Sequence, residues 1–294
     1  MLANYRILAL IALSLLAGNA PAQTVLQWKF AKGQVYAAQR TATQKQIVEI
    51  KGKIFKQVSA SIWHVRLEVQ EKKADGFAIQ ATLTKVEQRI TGAADAEMID
   101  PKLHEKMQGA VFALIVKPTG AIYEMRGYED FLTRLRGTDK ARLKALRVTF
   151  PEAAVKEALA DVFGPLPEVG VKPGDAWRRD YFEPIPHFGG LRASVRYVYV
   201  GPIQERERIT YTIQTKYEIP KDGANGIFRI AEGSIESEKA NGTIHFDRAA
   251  GRLVEHERSM LLRGKLTIET MDRRQELEFS SENELKLRVQ PAAK

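Results

Sequence analysis

Five histidines, His64, His104, His187, His245 and His256, are the side chains best suited to proton transfer or metal binding near neutral pH. His245 and Asp247 stand two apart, which on a strand puts both on one face, and His256 follows beyond a turn. A His-x-Asp pair with a third histidine across a hairpin is a geometry that holds zinc, provided the register brings the three level. Gly251 fixes that register only loosely. Surface histidines and a turn-facing aspartate account for the same residues without a metal, and the expectation is no metal site. A second cluster is Trp177-Arg178-Arg179-Asp180-Tyr181-Phe182-Glu183-Pro184-Ile185-Pro186-His187-Phe188-Gly189-Gly190. Its aromatics, prolines and glycine pair suit a rigid loop at a binding mouth, with Trp177, Tyr181, Phe182 and His187 as candidate contacts. The same residues serve equally as a plug closing one end of a β-core.

No other stretch has the spacing of a catalytic motif. There is no Gly-x-Ser-x-Gly elbow, no phosphate-cradling loop and no Gly-x-Gly-x-x-Gly turn. Carboxylates are plentiful, but nothing sets two of them across a cleft as glycoside hydrolysis requires. With no cysteine, thiol nucleophiles, disulfides, thiolate metal sites and a lipidated N-terminal cysteine are all excluded. The expectation is a non-enzymatic binding or structural protein of the bacterial cell envelope, with no catalytic residues and no cofactor. Hydrolysis of envelope material through His187 or the His245–Asp247 pair is the competing enzymatic reading.

Arg6 is the only charge before Lys29, and the apolar run Ile7 to Ala17 leads to Gly18-Asn19-Ala20-Pro21-Ala22. A short positive region, a short apolar core and small residues at an A-x-A site describe a secretory signal peptide, cleaved between Ala22 and Gln23. The core is too short for a spanning helix, and no later stretch is long and apolar enough to be one. The expected mature chain has 294 − 22 = 272 residues and is periplasmic or secreted. The net charge is +9, or +8 without Arg6, but Lys and Arg alternate with Asp and Glu along the whole chain. That mixture reads as a solvated surface rather than a nucleic-acid-binding face. The expected partner is an apolar ligand or an envelope protein.

The elements that would position any site are mostly strands. Gly109 to Arg126 reads strand, Pro118-Thr119-Gly120 turn, strand, and the plan returns from Asn241 to Glu255. Trp63, Val65, Leu67 and Val69 alternate with His64, Arg66, Glu68 and Gln70, and Asp75-Gly76 turns this strand into one carrying Phe77, Ile79, Ala81 and Leu83. Lys51-Gly52-Lys53 is a further turn. Val25, Trp28 and Phe30 are apolar positions of an opening strand. Helical spacing appears at 96–108, with Asp100 and Pro101 at its start, and at 129–136, 140–146 and 151–163. The expected division is a signal peptide at 1–22, a β-unit at 23–126, a helical connection at 127–164 and a second β-unit at 165–294. Similar turns at Gly33 and Gly174, and at Gly120 and Gly251, suggest that the two units are related by duplication. The fold class is mainly β (α+β), with curved sheets or a partly open barrel hiding the strand edges.

Trp28 to Tyr36, Val116-x-Pro118-x-Gly120, Val171-Lys172-Pro173-Gly174-Asp175-x-Trp177 and Phe246-Asp247-x-x-x-Gly251-Arg252-Leu253 together resemble a family of secreted bacterial proteins known as a domain of unknown function. The resemblance implies a β-rich exported domain and transfers no catalytic residue. The strand-and-turn plan is also distantly similar to the lipoprotein-carrier half-barrel, in which helices close an apolar groove. On that analogy the helices at 129–163 cover the concave face of a curved sheet, and the protein carries a lipid or another apolar molecule.

Overall fold

One sheet of eleven antiparallel strands takes up most of this computed structural model, which describes residues 23–92, 102–185, 189–213, 229–270 and 273–292. The strands are β1 (Val35–Ile50), β2 (Lys53–Lys73), β3 (Gly76–Thr91), β4 (Val111–Val116), β5 (Ile122–Arg126), β6 (Ala176–Ile185), β7 (Gly189–Ile203), β8 (Arg206–Ile213), β9 (Arg229–Asp247), β10 (Arg252–Thr270) and β11 (Arg273–Pro291). Four short helices are described: α1 (Leu103–Met107), α2 (Tyr128–Arg136), α3 (Arg142–Thr149) and α4 (Glu152–Ala160). The expected signal peptide, and Asp100 and Pro101 of the first expected helix, lie outside the described residues.

The spatial order β5-β4-β3-β2-β1-β11-β10-β9-β8-β7-β6 explains the plan. Strands 1 to 5 meander one way, strands 6 to 11 meander back, and β1 pairs with β11 from Tyr36↔Pro291 to Ile50↔Leu277. The two expected β-units therefore form one continuous sheet, and that sheet is not closed into a barrel. Its free edges, β5 and β6, are consecutive in the chain. The segment between them, with α2, α3 and α4, must cross the open seam.

Period-two patterning decides which face is interior. Tyr36 and Ala38 on β1, Val65, Leu67 and Val69 on β2, and Leu285, Leu287 and Val289 on β11 are buried in phase. Bulges at His64/Val65, Val69/Glu71, Tyr199/Gly201 and Leu253/Glu255 shift the ladder and bend these long strands. Against the inner face pack Phe131, Leu132 and Leu135 of α2, Leu146 of α3, and Val155 and Leu159 of α4. These side chains join the single interior hydrophobic cluster.

The opening segment is a corrected element. Leu26, Trp28 and Phe30 are the buried residues, whereas Val25 is 53% exposed. Thr24 bridges Val171, the Trp28 amide donates to Pro118 O at 2.9 Å, and the Lys29 amide donates to Gly251 O at 2.9 Å. Rather than joining the sheet as a strand, this segment turns Leu26, Trp28 and Phe30 into the core while Val25, Gln27 and Lys29 stay exposed, and it ties the first meander to the second.

Candidate functional site

At the seam the sheet leaves a cavity of about 300 Å³ between β5 and β6, roofed by α4. Its apolar lining includes Ile122, Val195, Ile213 and the ring of Tyr197. Its polar lining carries Asp161, Arg179, Tyr211, His256 and Arg258, with Lys156, Glu157 and Asp180. Each of the first five arrives by the same route: it occupies a strand position in phase with buried neighbours, or ends the helix above them. Arg258 and His256 share a face of β10 with Met260 and Leu262, and Asp161 immediately follows α4.

The ends of the cavity are set by backbone. Gly120, at φ +81°, would place a Cβ 2.1 Å from Gly164 O, so only glycine lets the β4–β5 turn meet the end of the helical connection. Leu166 N then donates to Thr119 O at 3.0 Å, while Trp177 Nε1 and Arg179 Nη2 donate to Pro165 O and Leu166 O at 3.1 and 2.6 Å. The loop 163–166 thus stitches β6 to the turn beside β5 across the gap that the sheet leaves open.

Asp161 is the electrostatic centre. It is 7% exposed, lies 3.2 Å from Arg40 Nε and 3.9 Å from Arg258 Nη1, and so serves two buried guanidiniums. Tyr211 Oη and His256 Nε2 are 2.7 Å apart, and His256 Nδ1 has no hydrogen-bond partner although the Asp161 backbone lies beside the ring. Gly242 makes this contact possible, since a Cβ there would lie 2.3 Å from Tyr211 Cζ. Burial, with Arg258 and Arg40 assisting, pushes the His256 pKa down to about 4 despite the opposing pull of Asp161. Burial likewise raises the Tyr197 hydroxyl and lowers the Arg179 guanidinium from their ordinary values.

A pH dependence follows. The folded pKa of His256 lies below its unfolded value near 6.5, so between pH 6.5 and 4 the unfolded chain holds a proton that the folded chain refuses. Stability is complete above pH 6.5 and falls as the pH drops through that window, by about 3 kcal/mol for a shift of this size. Urea midpoints against pH should show the slope in the native protein and lose it in His256→Gln. Equal slopes in the two would contradict the assignment.

Searches against known proteins add little. No family model matches the chain, and no match was found among curated proteins. Among solved structures, lipovitellin, described for its lipid–protein interactions, is similar at 10% identity and a TM-score of 0.42, over 90% of this chain and 26% of that one. This chain thus spans about a quarter of lipovitellin. An outer membrane channel from Pseudomonas putida F1 is 8% identical with a TM-score of 0.18, over 90% and 98% of the two chains. A protein of a domain-of-unknown-function family from Desulfovibrio piger is 9% identical with a TM-score of 0.13, over 89% and 87%. At these scores no functional conclusion rests on them.

Of the residues singled out in the sequence, Trp177 lies beside this site, half-buried and stacked on Tyr197 with ring centroids 5.6 Å apart. Tyr181 and Phe182 belong to the backbone of β6, with side chains outside the described residues, as is His187 altogether. The His245–Asp247–His256 constellation is not assembled. His245 pairs with Glu255 while His256 pairs with Ile244, so the two histidines point to opposite faces. Asp247 Oδ1 accepts the Ala250 amide at 2.8 Å and caps its turn. Among the described residues no group of three or more His, Asp or Glu is placed to hold a metal. Arg40, Asp161, Tyr211 and Arg258 carry no motif in the sequence, and Arg179 stands in the aromatic run without being one of its candidate contacts. The available signal was charge in phase with apolar neighbours, as in Tyr36-x-Ala38-x-Arg40 and His256-x-Arg258-x-Met260.

Proposed function

We propose that this is an exported, non-enzymatic binding protein of the bacterial cell envelope, and that its ligand is a small amphipathic molecule seated at the β5–β6 seam. The observation that carries this reading is the cavity itself: about 300 Å³, lined by apolar side chains together with a cluster of buried polar groups that includes His256. Ligand pockets are typically concave and mostly apolar, with a few fixed polar groups, and run from about 300 to 1,000 Å³. This one is at the small end, which favours a single short chain or a compact amphiphile over a diacyl lipid. The described lining residues include no serine or threonine, and His256 is held neutral against Tyr211, which supports binding over catalysis by a hydroxyl nucleophile. Export rests on the leader at 1–22. No helix among the described residues is long and apolar enough to cross a membrane.

The test is calorimetric titration with decanoate as a probe that is apolar at one end and polar at the other. Ala153, an exposed residue of α4 at the cavity mouth, is the position at which to block entry without touching the core. Saturable one-site binding that Ala153→Trp weakens at least tenfold is the expected result. Binding that the variant leaves unchanged would sink the site.

A further inference from the structure

On much of the sheet's outer face each cation stands beside a carboxylate of the neighbouring strand. Lys45 meets Glu282 at 3.0 Å, Arg263 meets Glu238 at 2.8 Å and Lys265 meets Glu278 at 2.6 Å. Opposite charges across a ladder attract and like charges repel, so this alternation suits a solvated surface. One corner departs from it. Where β8 and β10 begin and β11 ends, a recess of about 310 Å³ is lined by Arg206, Arg252 and Arg288, with Glu255 as its one carboxylate.

That carboxylate is already taken, since Arg288 Nε lies 3.1 Å from Glu255 Oε1. Arg252 Nη1 donates to Val289 O at 2.9 Å, which fixes the guanidinium without neutralising it. Arg206 is exposed and has no hydrogen bond or ion pair with a described residue. Arg208, two residues along β8 and so on the same face, has its Nε buried with no hydrogen-bond partner. Register places it in the same row, level with His245 of β9, which is level with Glu255 and so with Arg288. The other carboxylates of this corner are turned elsewhere. Asp247 Oδ1 accepts the Ala250 amide at 2.8 Å, and buried Glu207 serves Tyr199 Oη and Arg248 Nε at 2.6 and 3.2 Å. Glu205, in the β7–β8 turn, does not line the recess.

A concave site lined by one sign of charge raises the local concentration of the opposite ion. A guanidinium presents a planar fork that pairs with two oxygens of a carboxylate or a phosphate. Here three forks come from three different strands, so the donors surround the recess instead of lying in one plane. A tetrahedral oxyanion offers oxygens in that many directions, whereas a carboxylate offers two in a plane. We infer that this recess is a phosphate-binding site, in which Arg206, Arg252 and Arg288 hold the phosphate group of a phosphorylated ligand. Leu253, His256, Leu287 and Val289 are buried, so Glu255 and Arg288 stand on the outer face, away from the seam cavity. The site is therefore separate from the seam and does not depend on what the seam binds.

Calorimetric titration of the full mature chain with inorganic phosphate, at constant ionic strength and beside acetate as a planar anion, tests this. Saturable one-site binding of phosphate, and much weaker binding of acetate, is the expected result. Arg206→Ala alters an exposed side chain without a partner and should weaken phosphate binding about tenfold or more, the loss of one charge-assisted hydrogen bond. Glu255→Gln frees Arg288 and removes the competing carboxylate, so it should strengthen phosphate binding severalfold, a gain that misfolding does not produce. No phosphate binding by the native protein, acetate bound as tightly as phosphate, native affinity in Arg206→Ala, or unchanged or weaker binding in Glu255→Gln would each overturn the inference. A failed decanoate titration would not touch it.

Discussion

Replacing Trp28 by alanine should cost about 4 kcal/mol of folding stability, the middle of the range for a large aromatic lost from a core. Trp28 is 2% exposed and lies in a segment outside the sheet, yet its ring meets both meanders. It stacks on Phe30 at 4.5 Å between centroids and sits edge-to-face with Tyr36 of β1, Phe163 of the connection and Phe246 of β9 at 6.1, 5.8 and 6.2 Å. Its Nε1 donates to Phe163 O at 2.7 Å, so the substitution also leaves a buried carbonyl without that donor. Trp28→Phe separates the two contributions: it keeps most of the packing, loses the hydrogen bond, and should cost about 1–2 kcal/mol. Urea unfolding followed by far-ultraviolet circular dichroism is the measurement. A loss below about 1 kcal/mol for the alanine variant would mean that the opening segment does not hold the meanders together.

Asp161→Asn should be as damaging, at about 3–5 kcal/mol, because it removes the shared carboxylate of a buried ionic group. Arg40 and Arg258 have 14 and 10% of their side-chain surface exposed, and Asp161 is the carboxylate both approach. Without it, both guanidiniums lose that counter-charge in a poorly solvated interior. Arg40 retains the face of Trp63, 5.7 Å from its ring centroid, but that contact does not neutralise charge. Asp161→Asn combined with Arg258→Met removes one charge of each sign and should recover part of the loss, whereas independent sites would give additive losses. Additivity would contradict the view of Asp161 as the shared counter-charge.

Much of the fold was legible because its signals are local. The β2–β3 hairpin announces itself through four alternating pairs and Asp75-Gly76, and it forms with Lys73 opposite Gly76. The helices at 129–136 and 151–163 showed their stripes, and the residues on them are the ones that pack inward. What was not legible was partnership over long separations. No pattern in β1 says that it will pair with β11, more than two hundred residues away, instead of closing a unit of its own. That single pairing turns two expected units into one sheet and makes β5 and β6 the edges.

The site was hidden for a related reason. Asp161 reads as the end of a helix, and Arg40 reads as one more charge in a Thr- and Gln-rich strand. Their adjacency exists only once the connection has crossed the seam. His256 was read with His245 because an unbroken hairpin would have set them together; the register shift between Leu253 and Glu255 turns His256 inward instead. Of the aromatic run that begins at Trp177, Trp177 itself stacks on Tyr197 of the cavity lining.

The most direct measurement of the central claim is native mass spectrometry of the mature protein released from its own cell envelope, beside Ala153→Trp prepared in the same way. A seam that binds a small amphipathic ligand predicts one such molecule per chain in the native protein and a bare chain when the mouth is blocked. A native protein that emerges bare, or an adduct of the same mass and occupancy on Ala153→Trp, would contradict it.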